Sequence, residues 1–218
     1  ALCPWQTNVY GFDIAPSNPN ILYVVSETGG FFKSTNKGLQ WSQLEPGVYS
    51  SSEAVAIHPT NPDVVYVGIS GGIIRSTNGG TSWTSVWKQN NLWLYDLEIV
   101  SSQPTIMLAA TNQGFYRSTD AGASWTRSMD RSCCDLETQP GNANVVFTLR
   151  ANSAGTITEL WKSTDGGVNF SLKSSGWLNT VGSKGAGRLT VTPANAQRVY
   201  AVLLGDSSRP YIPVSYTH

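Results

Sequence analysis

The chain has 218 residues, with 14 basic and 14 acidic side chains and no formal net charge. A nucleic acid or an anionic membrane surface calls for a basic partner, so neither is expected. Charged residues make up only 13% of the chain, and no apolar run approaches the ~20 residues of a membrane helix. Gly, Ser, Thr and Asn fill the gap beside 8 Trp and 9 Tyr, a mixture that suits a β protein with many tight turns.

The chain opens Ala1-Leu2-Cys3-Pro4-Trp5 without an initiator Met, and reads as a processed product or an excerpt. Alternation from Val9 to Ala15 predicts a first strand, and Pro16-Ser17-Asn18-Pro19-Asn20 predicts a turn. Ile21 to Val25 is a β-branched second strand, and a Gly turn leads to a third, Gly30-Phe31-Phe32-Lys33. Then comes the octapeptide Ser34-Thr35-Asn36-Lys37-Gly38-Leu39-Gln40-Trp41. The same order returns from Ala54 to His58, through Val64 to Gly68, to Ser76-Thr77-Asn78-Gly79-Gly80-Thr81-Ser82-Trp83, whose aromatic opens a fourth strand. It returns from Leu94 to Val100 and ends on Ser118-Thr119-Asp120-Ala121-Gly122-Ala123-Ser124-Trp125. A fourth round starts at Cys134 and ends on Ser163-Thr164-Asp165-Gly166-Gly167-Val168-Asn169-Phe170. A fifth starts at Arg188 and loses its pattern after Leu204, with Pro210 to Ile212 available to begin a third strand.

The octapeptides start at 34, 76, 118 and 163, steps of 42, 42 and 45 residues. Four short antiparallel strands per repeat of that length describe one blade of a β-propeller, which must stack on its neighbours to bury its faces. The expected fold is therefore all-β, a β-propeller of four-stranded antiparallel blades. It is present as one partial domain of about four and a half blades over residues 1–218, with blades starting near 9, 54, 94, 134 and 188. Residues 213–218 match no repeat position and read as a tail foreign to the array. An open array exposes strand edges and apolar faces, so poor solubility is expected.

The octapeptide pattern S-T-[DN]-x-G-x-x-[WF] resembles the Asp-box, or bacterial neuraminidase repeat, with four matches in phase covering roughly residues 9 to 204. Repeats of this type occur in sialidases, two-propeller xyloglucanases, sortilin-type receptors, photosystem assembly factors and secreted bacterial surface proteins. The wording Asn20-Ile21-Leu22-Tyr23-Val24 is most similar to the xyloglucanase, sortilin and surface-protein branch. The eight Arg, at 75, 117, 127, 131, 150, 188, 198 and 209, show no sialidase-like triad. The resemblance implies a secreted or cell-surface protein that binds a glycan or a protein, or acts as a structural module, joined by the remaining blades of a parent propeller. The alternative is a glycoside hydrolase resembling the xyloglucanases.

The box itself reads as a turn device. Ser34, Ser76, Ser118 and Ser163 with Asn36, Asn78, Asp120 and Asp165 supply oxygens for turn amides. Gly38, Gly80, Gly122 and Gly167 supply positive φ, and Trp41, Trp83, Trp125 and Phe170 are expected to bury between blades. Asn in two boxes keeps the oxygen and loses the charge, which favours a scaffold over an acid or a metal ligand. Function is therefore expected at the end away from the boxes, where the longer loops lie. There Asn90, Asn91, Trp93 and Tyr95 pair aromatics with amides, and Trp177 is a second aromatic candidate. Asp13, Glu98 and Glu137 hold matching inner-strand positions, with Asp96 and Asp135 two residues earlier, and are expected to line a channel. Paired carboxylates there would serve glycosidic chemistry. Glu27, in Ser26-Glu27-Thr28-Gly29-Gly30, sits where the resemblance places a xyloglucanase catalytic Asp in a T-D-x-G-G stretch. Cys133-Cys134, with only His58 and His218, does not compose a zinc site, and no cofactor is expected.

Overall fold

Alternation with a period of two, broken by Pro/Asn and Gly turns, produces strands too short to bury themselves, and the chain solves this by stacking sheets. A computed structural model describes residues 8–26, 30–45, 54–174, 187–196, 198–204 and 211–217. The first sheet contains β1 (Val9–Ile14), β2 (Leu22–Ser26), β3 (Phe31–Ser34) and β4 (Ser42–Leu44). The second contains β5 (Val55–Ile57), β6 (Val65–Ile69), β7 (Gly72–Ser76) and β8 (Thr84–Lys88). The third contains β9 (Leu94–Ile99), β10 (Met107–Thr111), β11 (Gly114–Ser118) and β12 (Thr126–Asp130). The fourth contains β13 (Cys133–Gln139), β14 (Asn142–Ala151), β15 (Thr158–Ser163) and β16 (Ser171–Lys173). The fifth contains β17 (Gly187–Val191), β18 (Arg198–Leu204) and β19 (Tyr211–Thr217). Every sheet is ordered as its strands run in the chain, the meander of a propeller blade.

The fifth sheet includes residues that match no repeat position in the sequence. Residues 213–217 lie within β19, whose Pro213 pairs with Val202 and whose Tyr216 pairs with Val199. A proline in a run argues against a strand, but β19 is the edge of its sheet, where a missing amide donor is tolerated.

The chain divides into two compact units, residues 1–107 with 118–124 and residues 108–117 with 125–218. In the first, blades one and two share a core in which Ala15, Tyr23, Val25 and Phe31 meet Val55, Ile57, Val65, Val67 and Ile74. In the second, blades four and five share a core of Phe147, Leu149 and Leu160 against Leu189, Val191, Val199, Ala201 and Leu203. Each strand thus sends alternate side chains to opposite neighbours, and side-chain parity decides which blade a residue touches. A β-bulge recurs between the third and fourth strands, at Ile73/Ile74 in blade two and at Phe115/Tyr116 in blade three.

Candidate functional site

The four boxes have one hydrogen-bond pattern. The serine hydroxyl donates to the Asx side-chain oxygen, at 3.0 Å for Ser34–Asn36 and 2.9 Å for Ser76–Asn78. The same contact is 2.8 Å for Ser118–Asp120 and 2.7 Å for Ser163–Asp165, shorter because the acceptor is ionised. The serine oxygen in turn accepts the amide of Gly38, Gly80, Gly122 or Gly167. The Asx oxygen accepts the amide of Gln40, Ser82, Ser124 or Asn169. Neutral Asn makes the same turn as charged Asp, as a scaffold role requires. The Ser124 hydroxyl and amide bonds, then the Ser118 hydroxyl, hold Asp120 down at about 2. The Asn169 amide, with the Ser163 hydroxyl, does the same for Asp165.

The glycines have φ of 84°, 91°, 84° and 86°. The residue before each is also left-handed, Lys37 at 59°, Gly79 at 68°, Ala121 at 56° and Gly166 at 70°. Its amide bonds the Pro/Asn turn of its own blade, at Asn20, Asp63, Thr105 and Asn144. This second left-handed position is absent from the sequence reading; the glycine there in two of the four boxes is the signal for it.

The box aromatics are half-buried, less than the full burial expected, and two of them reach the preceding blade. Trp83 meets Phe31 edge-on at 5.8 Å, and Phe170 meets Phe115 at 4.7 Å. Basic side chains ahead of the boxes add ties: Lys33 Nζ donates to the Gly79 carbonyl, and Arg117 Nε donates to the Gly166 carbonyl at 2.9 Å. Tyr23 donates its hydroxyl to the Pro62 carbonyl at 3.2 Å.

The candidate binding site is a groove of about 450 Å³ on blade two. Its floor is Ile69, Ile74, Trp83 and Trp87, and its rim is Lys88, Gln89, Asn90 and Asn91. Trp83, just before β8, and Ser85 and Trp87 within it all line the groove, and β8 is the edge strand of its sheet, with the bulge at Ile73/Ile74 opposite it. The rim is a tight turn in which Asn91 is left-handed, at φ 56°, and the Gly71 amide donates to the Leu92 carbonyl. Among the expected contacts, Asn90 and Asn91 line the groove, whereas exposed Trp93 and half-buried Tyr95 do not. Sequence does not single out Trp87, because the β-bulge opposite Ile73/Ile74 breaks the alternation that would relate it to Trp83.

The inner-strand carboxylates behave differently from a catalytic pair. Asp13 Oδ1 accepts the Ile14 amide at 2.7 Å and Oδ2 accepts the Ile57 amide of blade two at 2.8 Å. Burial pushes its carboxyl up to about 6 against those two amide bonds, and the Asp96 charge adds a smaller push. Asp135 clamps blade five to blade four in the same way, accepting the Leu189 amide and pairing with Arg188 at 2.9 Å. Glu98 and Glu137 are half-buried, Glu137 opposite Phe147 in the ladder. None of these carboxylates lines the groove. Glu27 and Trp177 lie outside the described residues. Cys133 and Cys134 are free thiols, both pushed up to about 12 by burial. No helix among the described residues is long and apolar enough to cross a membrane.

No curated protein matches the sequence. Among solved structures, an ancestral GH74 enzyme superposes with a TM-score of 0.79 at 22% identity, covering 96% of this chain and 30% of that one. The GH74 xyloglucanase from Xanthomonas campestris follows at 0.72 and 16%, covering 97% of this chain and 36% of that one. YCF48 bound to D1 peptide gives 0.64 and 13%, covering 92% of this chain and 63% of that one. The chain thus spans 30–36% of the two glycoside hydrolases, and identities this low establish a shared propeller fold. A family model described as Photosynthesis system II assembly factor YCF48 matches residues 3–198. With that match across nearly the whole repeat array, the chain belongs to the photosynthesis system II assembly factor YCF48 family, a BNR-type β-propeller family that shares its fold with the GH74 xyloglucanases.

Proposed function

We propose that this chain is a non-catalytic binding segment of a propeller and holds a polypeptide partner in the blade-two groove. The observation that carries the reading is the groove's composition: two Trp and two Ile under a rim of amides, with no carboxylate in the lining. Glycosidic hydrolysis by the usual route needs two carboxylates flanking one bond, and this groove offers neither. Apolar floor and amide rim suit an extended peptide, whose side chains take the floor and whose backbone takes the amides. Because β8 is an edge strand, a peptide laid along it gains main-chain partners as well. Lys88 is the one charged residue of the lining and favours an acidic segment. The relative solved with a D1 peptide makes that peptide the first probe.

The test is titration of the D1 peptide and, separately, of xyloglucan oligosaccharides into the full chain, followed by tryptophan fluorescence. Saturable peptide binding is expected, weakened by about 30-fold in Trp87→Ala with an unchanged circular dichroism spectrum. Aromatics beside amides also suit sugar stacking. Saturable oligosaccharide binding without peptide binding therefore replaces this reading with the glycan one, and sugar release replaces it with the hydrolase.

A further inference from the structure

Each boxed blade has the same cross-strand pair beside its box. The residue two before the box serine pairs with the residue two after the box aromatic: Phe32 with Gln43, Ile74 with Ser85, Tyr116 with Arg127 and Trp161 with Leu172. Such partners present their side chains on one face of the sheet. In blades one, three and four an aromatic faces a long side chain. In blade two buried Ile74 faces exposed Ser85, and both line the groove. In blade three the Arg127 stem lies along β11, its Cδ 3.3 Å from where a Cβ on Gly114 would sit. In blade four Leu172 holds the position opposite Trp161. The blade-two groove is therefore space that a long side chain occupies elsewhere in the array.

We propose that the bound polypeptide completes this pair, inserting one large aliphatic side chain over Ser85 in the place that Leu172 takes in blade four. The inference rests on the polypeptide reading of the groove and adds what selects the partner. Leu172 shows that the position accepts an aliphatic side chain. In blade two its surroundings are apolar, with Ile74 across the ladder and Trp83 and Trp87 in the same lining. A polar side chain inserted there would give up water for neighbours that return no hydrogen bond. Lys88 on the rim disfavours the cation that blade three carries at this position. At about 450 Å³ the groove holds one such side chain together with the backbone that flanks it. Ser85 is thus the specificity-determining residue, through its small size rather than its hydroxyl.

The test changes each large apolar residue of the D1 peptide to Ala in turn and titrates each peptide into the full chain. One change should weaken binding at least about tenfold, and the others less than about threefold. Ser85→Leu fills the position from within. It should weaken binding of the unchanged peptide by about 30-fold and make the one sensitive peptide change nearly silent. Ser85→Ala should bind as the wild type does. Ser85→Leu also has a readout without peptide, because its Tm should match the wild type or exceed it by up to about 3 °C. A lower Tm means that the position rejects an aliphatic side chain and overturns the inference. So does a Ser85→Leu chain that binds like wild type, or a peptide in which no single apolar residue stands out, and both of these leave the polypeptide reading intact. Failure of the wild-type chain to bind the peptide overturns that reading and the inference with it, and is seen before any substitution is made. Self-association of the wild-type chain that Ser85→Leu abolishes gives the groove to a second copy and overturns the inference.

Discussion

Asp13 and Asp165 are both carboxylates on strand or turn backbone, yet their surroundings push them in opposite directions. Burial raises Asp13 to about 6. The folded state then binds a proton more tightly than the unfolded chain, whose Asp titrates near 3.8. Stability should therefore fall as pH rises from about 4 to about 6, by on the order of 1–2 kcal/mol after allowance for solvent screening. Asp165 is held at about 2 by amide and hydroxyl bonds, so its contribution is present above about 4 and is lost as pH falls towards 2. Thermal melts over pH 3–7 should show Asp13→Asn flattening the upper window and Asp165→Asn flattening the acid limb. An Asp13→Asn profile that tracks wild type between pH 4 and 6 contradicts the buried-clamp account. Position alone grouped Asp13 with Glu98 and Glu137, and sequence showed them as like residues in like places. Only the cross-blade bond to the Ile57 amide distinguishes a clamp from a channel carboxylate, and that bond depends on which neighbour a side chain meets.

The box turn was more legible, because its chemistry is local: serine, Asx and glycine are all within one octapeptide. The cost of breaking it should depend on what lies beyond the turn. A Cβ on Gly80 would sit 2.6 Å from Leu44 Cδ1 of blade one, at φ 91°, whereas a Cβ on Gly141, at φ 79°, meets nothing within 4 Å. Gly80→Ala should thus cost about 2–3 kcal/mol and Gly141→Ala about 1 kcal/mol in urea unfolding. Equal costs would mean that backbone strain alone matters and that the close blade approach does not. The unforeseen left-handed residue of the box gives the reverse prediction. Ala121→Gly relieves φ 56° and should stabilise by about 0.5 kcal/mol, after the added freedom of the unfolded chain is offset. The groove was less legible than the turn. Lys88, Asn90 and Asn91 stand out as a polar run, but the floor beneath them comes from β6, β7 and the far end of β8. Trp93 and Tyr95 stand beside that run in sequence and belong to the next strand's alternation, which takes them off the groove.

At the scale of the whole molecule, the repeat makes stability a sum of blade terms and nearest-neighbour terms. The period revealed the blades and their number, because boxes recur in sequence. It could not reveal which faces are covered, because coverage depends on parity and register rather than on residue type. Trp41 and Trp83 make this concrete. Each ring nitrogen donates to its own box glycine carbonyl, at 2.9 Å from Trp41 to Gly38 and 3.0 Å from Trp83 to Gly80. Trp83 additionally packs on Phe31 of the preceding blade. Trp83→Ala should therefore cost about 3 kcal/mol in dilute solution, with much of that cost absent when Phe31 is already Ala. Trp41 holds the same position on the open face of blade one, so Trp41→Ala should cost about 1 kcal/mol in the dilute chain. If Trp41→Ala costs as much as Trp83→Ala, the contact with Phe31 is not what makes the blade-two aromatic worth more.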